Sequence, residues 1–201
     1  MDRDAPLFVP FTAEPFELEG PTPEELASDA SIESEILTGA AFAGLTVAEQ
    51  KALAITSTLE TGHRGGFDGL SGDFDGMGLS FGLVNWNLGA GSLQPLLRDL
   101  AREFPTRFVA AFGLDAPRFL ALITPTGDAA RRTQLAFAKR EMNEVRGGKK
   151  VIREPWSTYF RRLAADPEFQ RIEVRYAKEL LDRAKYFCEY FGLVSERALC
   201  F

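Results

Sequence analysis

The chain has 201 residues, 45% of them hydrophobic and 26% charged, with a formal net charge of −6. This length and composition exclude a chain disordered throughout and fit one domain with an appendage. The acidic balance argues against a nucleic-acid partner, and no apolar run is long enough for a transmembrane helix.

Residues 1–30 carry Pro6, Pro10, Pro15, Pro21 and Pro23 and read as an extended lead-in. A short helix is expected over 31–43, so residues 1–44 form the lead-in and residues 45–201 the functional body. Thr46-Val47-Ala48-Glu49 is a capping-box pattern that starts a firmer helix. Ala48, Ala52, Ile55 and Leu59 share its apolar face, and Gly62 takes the C′ position. Ten of the eighteen glycines then fall within 62–91. That density excludes a helix and predicts a loop with short strands or a small hairpin. The segment also holds Phe67, Phe74, Leu79, Phe81, Leu83 and Trp86, which a linker would lack, so it reads as ordered and site-forming.

From Ser92 onward the pattern is helical. Leu93, Leu96, Leu97, Leu100 and Phe104 form one stripe behind Ser92 as N-cap. Further helices are expected over 116–123, over 128–145 up to Gly147-Gly148, and over 156–164. Asp166-Pro167 opens a long helix to about Tyr190, with Gly192 beyond. Ser195 and Glu196 start another helix, and a body ending at Phe201 reads as C-terminally incomplete. The fold class expected is mainly α with a small β element. Cys188 and Cys200 read as reduced thiols. The chain shows no secretory signal.

Two carboxyls stand in unlike settings. Glu60 lies at the C-terminal end of a mostly apolar helix, a setting suited to a general acid. Asp75 lies in the polar turn Asp73-Phe74-Asp75-Gly76, where a carboxylate stays solvated. Glycoside hydrolysis uses such a pair. On spacing alone the same residues also read as a solvated helix end and as turn formers. His63 has no ligand-spaced companions for a metal site, and the proposed chemistry needs no metal or cofactor. The basic stretch Lys139, Arg140, Arg146, Lys149, Lys150 and Arg153 is interrupted by acids and reads as a solvated helix face and turn.

The run Asp75-Gly76-Met77-Gly78-Leu79-Ser80-Phe81-Gly82-Leu83, preceded by Glu60-Thr61-Gly62, resembles the lysozyme-like superfamily. It is most similar to glycoside hydrolase family 46 chitosanases and their peptidoglycan-cleaving relatives. The resemblance implies an α+β lysozyme-like fold, a two-lobed helical body whose cleft is lined by the β element and the glycine-rich loop. It implies Glu60 as catalytic acid, Asp75 as base and Ser80 as the hydroxyl that places water. An inverting mechanism would set the carboxyls roughly 6.5–9.5 Å apart. Asp73 is the alternative base and is counted with Phe81, Asn85, Trp86, Asn87 and His63 as substrate-binding.

Chitosanases commonly have Arg where this chain has Met77 and an aromatic where it has Leu79. Residues 76–97 contain no acid to meet a polycation and instead offer Asn85, Trp86, Asn87 and Gln94. Amides and an aromatic face suit N-acetyl sugars. The expected substrate is therefore peptidoglycan or a related amino-sugar polymer, cleaved at β-1,4 bonds. Chitosan and a non-catalytic wall-binding module are the alternatives. The expected context is an antibacterial effector or endolysin, made in the cytoplasm and delivered to or released onto the cell wall. A delivery machine or an immunity protein would then be its protein partner.

Overall fold

A computed structural model of the chain describes residues 40–61 and 66–193. Residues 31–39 of the helix expected over 31–43, Gly62, His63, Cys200 and the helix expected from Ser195 lie outside the described residues. The rest is mainly helical with a few short antiparallel strands, an α+β arrangement.

A 3₁₀ turn, Ala40–Phe42, leads into α1, Val47–Thr61. The capping box forms as the sequence requires: the Thr46 N–H donates to Glu49 Oε2 at 2.6 Å and the Glu49 N–H to Thr46 Oγ1 at 3.3 Å. The helix buries a different face from the one expected. Glu49, Ala52, Leu53, Ala54 and Ser57 turn inward, whereas Leu59 is 75% exposed. The apolar count misplaced the stripe because a buried glutamate sits in it.

Three two-residue strands follow: β1 (Leu70–Ser71), β2 (Ser80–Phe81) and β3 (Trp86–Asn87), an antiparallel sheet in that order. Leu70 pairs with Phe81, Ser80 with Asn87, and Phe81 with Trp86. Then come α2 (Leu93–Glu103), α3 (Pro105–Phe112), a 3₁₀ turn at Gly113–Asp115, α4 (Ala116–Ile123) and α5 (Asp128–Phe137). The helix expected over 128–145 is cut short. After Phe137 the chain makes one π-helical turn, Ala138–Met142, then the hairpin β4 (Asn143–Arg146) and β5 (Lys149–Ile152) about Gly147-Gly148. Residues 143–145, expected as the last turn of that helix, instead pair with 150–152 across the hairpin. Helices α6 (Trp156–Ala164) and α7 (Pro167–Tyr190) complete the described chain. Asp166 caps α7 by accepting the Glu168 and Phe169 N–H groups.

Aromatic rings join these pieces. Phe112 lies 4.8 Å from Phe108 and 4.7 Å from Phe119, and Phe119 meets Trp156 edge-on at 5.1 Å. Phe81 carries the sheet into this core, 4.9 Å from Phe160 of α6 and 5.9 Å from Phe169 of α7. Such pairs add about 0.5–1.5 kcal/mol each beyond their buried area.

Glu49 is 2% exposed and receives Lys185 Nζ at 2.6 Å and Lys178 Nζ at 3.4 Å, both from α7. Burial alone would push its carboxyl up; the Lys185 ammonium and the Thr46 N–H and hydroxyl overcome it and hold it at about 2, against an ordinary 4.5. A carboxyl depressed in the folded state contributes stability above its unfolded value, lost as pH falls toward about 2. Glu49→Gln should destabilise the protein by about 2–3 kcal/mol at neutral pH in urea titrations. The gap to the wild type should narrow steadily as the pH is lowered from about 5 toward about 2; a gap independent of pH would contradict the ion pair.

Candidate functional site

The glycine-rich segment is held from outside itself. Asp73 is 4% exposed. Its Oδ1 accepts the Gly78 N–H at 2.8 Å, and its Oδ2 accepts from Lys150 Nζ of β5 at 2.5 Å, with Lys139 Nζ 3.7 Å from Oδ1. Burial would raise this carboxyl; Lys150, the Gly78 N–H and Lys139 outweigh it and hold it below its ordinary value. The Asp73 N–H in turn donates to Asn143 Oδ1 at 2.8 Å, and Asn143 Nδ2 donates to the Gly78 carbonyl at 2.7 Å and the Ala138 carbonyl at 2.9 Å.

This clasp needs glycine at two places. A Cβ on Gly72 would stand 2.7 Å from Asn143 Oδ1 and 2.8 Å from the Lys150 carbonyl oxygen. One on Gly78, whose φ is +84°, would meet the Ala138 side chain at 2.9 Å.

Asp73 is therefore an anchor of the loop, buried with each of its oxygens bonded inside the protein, where the base and sugar-ligand roles expected of it call for an open carboxylate. The basic stretch is corrected with it. It is a π-turn and hairpin, and two of its lysines serve this buried carboxylate. Asp75, two residues further, is exposed; its Oδ1 accepts the Met77 N–H at 2.9 Å in a tight local turn. The loop is pinned at Asp73, and Phe74 and Asp75 after it both turn outward.

Ser80 is buried on β2, and its Oγ accepts from Asn87 Nδ2, directly across on β3, at 2.9 Å. Asn87 is half-buried; its Oδ1 accepts the Ala90 N–H and its own N–H donates to Ser92 Oγ at 2.7 Å. Ser92 thus holds the β3 end, and its side chain makes no cap bond to α2. Asn85, half-buried at φ +56°, occupies the turn between β2 and β3.

The apolar residues named for sugar stacking face the other way. Phe81 has no exposed surface, and Trp86 is 6% exposed with its ring edge-on to Tyr176 at 6.3 Å. Both are packed in the core, Phe81 against Phe160 and Phe169 and Trp86 against Tyr176, and not open to solvent as sugar stacking requires. Gln94 is likewise structural, donating to the Leu88 carbonyl and to Gln134 Oε1 inside the core.

Glu60, next to the last residue of α1, is exposed, so the apolar surround expected for it is not formed by the described residues. The arrangement offers an exposed carboxyl at a helix end, an exposed carboxylate on a fixed loop, and amide groups along one short sheet. Asn143 and Lys150 were missed by sequence reading. Their signal was Gly147-Gly148, a hairpin turn flanked by β-branched residues.

Lys150→Met should leave Asp73 underpaired and cost about 1–3 kcal/mol of stability in thermal or urea unfolding. Amide exchange at 73–78 should quicken more than in α3; an unchanged loop would refute the clasp. Comparison with protein-family models, with curated proteins and with solved structures finds no match.

Proposed function

We propose that the protein is a lysozyme-like glycoside hydrolase that cleaves the β-1,4 bonds of peptidoglycan. The observation that carries this reading is the contrast within one loop: Asp73 buried and fully paired, Asp75 held two residues away and open to solvent. A general base must be fixed and accessible, and Asp75 is held by the Met77 N–H and open to solvent. Glu60 lies on the helix that directly precedes this sheet and takes the role of general acid.

In this reading the glycan lies in a cleft between two lobes, bordered by α1 and the small sheet. Glu60 protonates the glycosidic oxygen as the bond to the anomeric carbon breaks. Asp75 takes a proton from water attacking the opposite face, with Ser80 acting through Asn87 to orient it, and the anomeric configuration inverts. Asn85 and Asn87 bind N-acetyl groups. No step calls for a metal or a cofactor. The absence of any acid over 76–97 favours a neutral or anionic glycan over polycationic chitosan. Such an enzyme works on the cell wall or in the periplasm after delivery or release from the cytoplasm.

Purified peptidoglycan and chitosan, incubated separately with the protein, test the assignment through release of reducing ends and the anomeric form of the first product. Peptidoglycan turnover with inversion is expected. Glu60→Gln and Asp75→Asn should each lower the rate by about 100-fold or more with the fold intact by circular dichroism. Full activity in either variant, or turnover of chitosan alone, would reject the corresponding part of the proposal. Binding without turnover would leave a wall-binding module.

A further inference from the structure

Glu173 lies on the buried face of α7 with no exposed surface. Its Oε2 accepts the Leu83 N–H at 3.4 Å, and its Oε1 has no hydrogen-bond partner among the described residues. The carboxyl fills the space where residue 82 would carry a side chain: a Cβ on Gly82 would fall 1.7 Å from Oε1. Gly82, at φ +84°, opens the turn 82–85 that joins β2 to β3, and Ser80 and Asn87 sit on the strands either side of it.

Among the described residues no ion pair joins Glu173, and the charged groups on the elements packed against α7 are engaged or turned outward. Asp99 and Glu103 of α2 bind Arg175, and Asp99 also binds the Tyr176 hydroxyl. Glu49 of α1 binds Lys178 and Lys185. On α6, Arg161 and Arg162 are exposed. Burial pushes the Glu173 carboxyl well above the usual carboxylate range, with only the Leu83 N–H pulling the other way.

We propose that Glu173 is a positioning residue whose carboxyl, wedged against Gly82, fixes the β2–β3 turn and through it the Ser80–Asn87 pair, so that the sheet is a proton-controlled element. The neutral carboxyl packs against the glycine and receives the Leu83 N–H. The ionised carboxyl has no cation to meet in that place and must leave it, taking the turn with it. The folded protein holds this proton more tightly than the unfolded chain. The stabilising contribution is therefore complete below the unfolded value near 4.5 and is lost as pH rises through the folded value.

Glu173→Gln keeps the shape and an acceptor for Leu83 but cannot ionise. Between about pH 5 and pH 9 the melting temperature of the wild type should fall relative to this variant by about 3 °C per pH unit until the folded value is passed. The depressed carboxyls Glu49 and Asp73 change their stability contribution only below this window. In the wild type itself, the exchange protection of the Leu83 amide should fall more than tenfold across the same range, while that of Leu97 in α2 stays level. This second measurement needs no variant to fold. Parallel melting curves, or a Leu83 amide equally protected at both ends of the range, overturn the proposal. The effect on catalysis rests on the hydrolase reading: Glu173→Gln should extend the alkaline limb of the rate profile. Activity of Glu60→Gln tests that reading alone, whereas the melting difference stands without it.

Discussion

A segment with this many glycines has few side chains with which to hold itself, so much of its order must be supplied from outside. The supply is a carboxylate taken out of water. Burying Asp73 costs several kcal/mol if it stands alone, and the protein offsets that cost with the Lys150 ammonium, the Gly78 N–H and the nearby Lys139. Asn143 closes the arrangement by satisfying the backbone at Asp73 and Gly78 together. A charged group that must be paired to remain buried is a strong constraint, because any drift of loop from hairpin exposes it or strands it. The outward pose of Asp75, the approach of Gly72 to β5 and the closeness of Gly78 to Ala138 all follow from that single requirement.

Helix α7 plays the matching part on the other side. Its Lys178 and Lys185 reach Glu49, 129 and 136 residues earlier, and its Arg175 and Tyr176 reach Asp99 of α2. The Tyr176 hydroxyl, half-buried and hydrogen-bonded to Asp99, is pushed up to about 12 and stays a donor at any ordinary pH. Phe169 stacks on Phe81, and Glu173 backs Gly82, so one helix face supports the first helix, the second helix and the sheet between them. Each of these pairings joins distant parts of the sequence. Ordering them costs loop-closure entropy, which the contacts made along α7 must offset.

Local signals in the sequence were enough wherever a local interaction decides the structure. The Thr46–Glu49 box, the stripe from Leu93 to Leu100, and the Asp166-Pro167 start of α7 are each decided within a turn or two, and each forms as read. Helix α3 was left unassigned although Pro105 stands at its first position; its cue was the proline and not an apolar period. The site was legible in part. The composition marked 62–91 as an ordered loop with short strands, and it is one where described. Which aspartate turns inward was not legible, because that depends on Lys150, 77 residues away. The burial of Phe81 and Trp86 was equally hidden, since strands of two residues carry no readable alternation.

The buried carboxyls divide into two kinds, and their opposition bounds the conditions that suit the fold. Glu49 and Asp73 are kept as anions by lysines, so their contributions are complete only above the ordinary carboxylate value. Glu173 is kept neutral by burial without a cation, so its contribution is complete only below that same value. All three terms come closest to being complete together near the ordinary value of about 4.5, a mildly acidic optimum for this set of groups. Departures on the two sides strike the same small sheet by different routes. Acid releases the loop at Asp73, next to β1, whereas alkali works at Gly82, in the turn after β2. A three-stranded sheet with two residues per strand has almost no hydrogen bonding of its own to resist either. Its geometry is therefore a readout of the proton occupancy of side chains on α7 and the hairpin, and any chemistry performed beside Asn87 inherits that dependence.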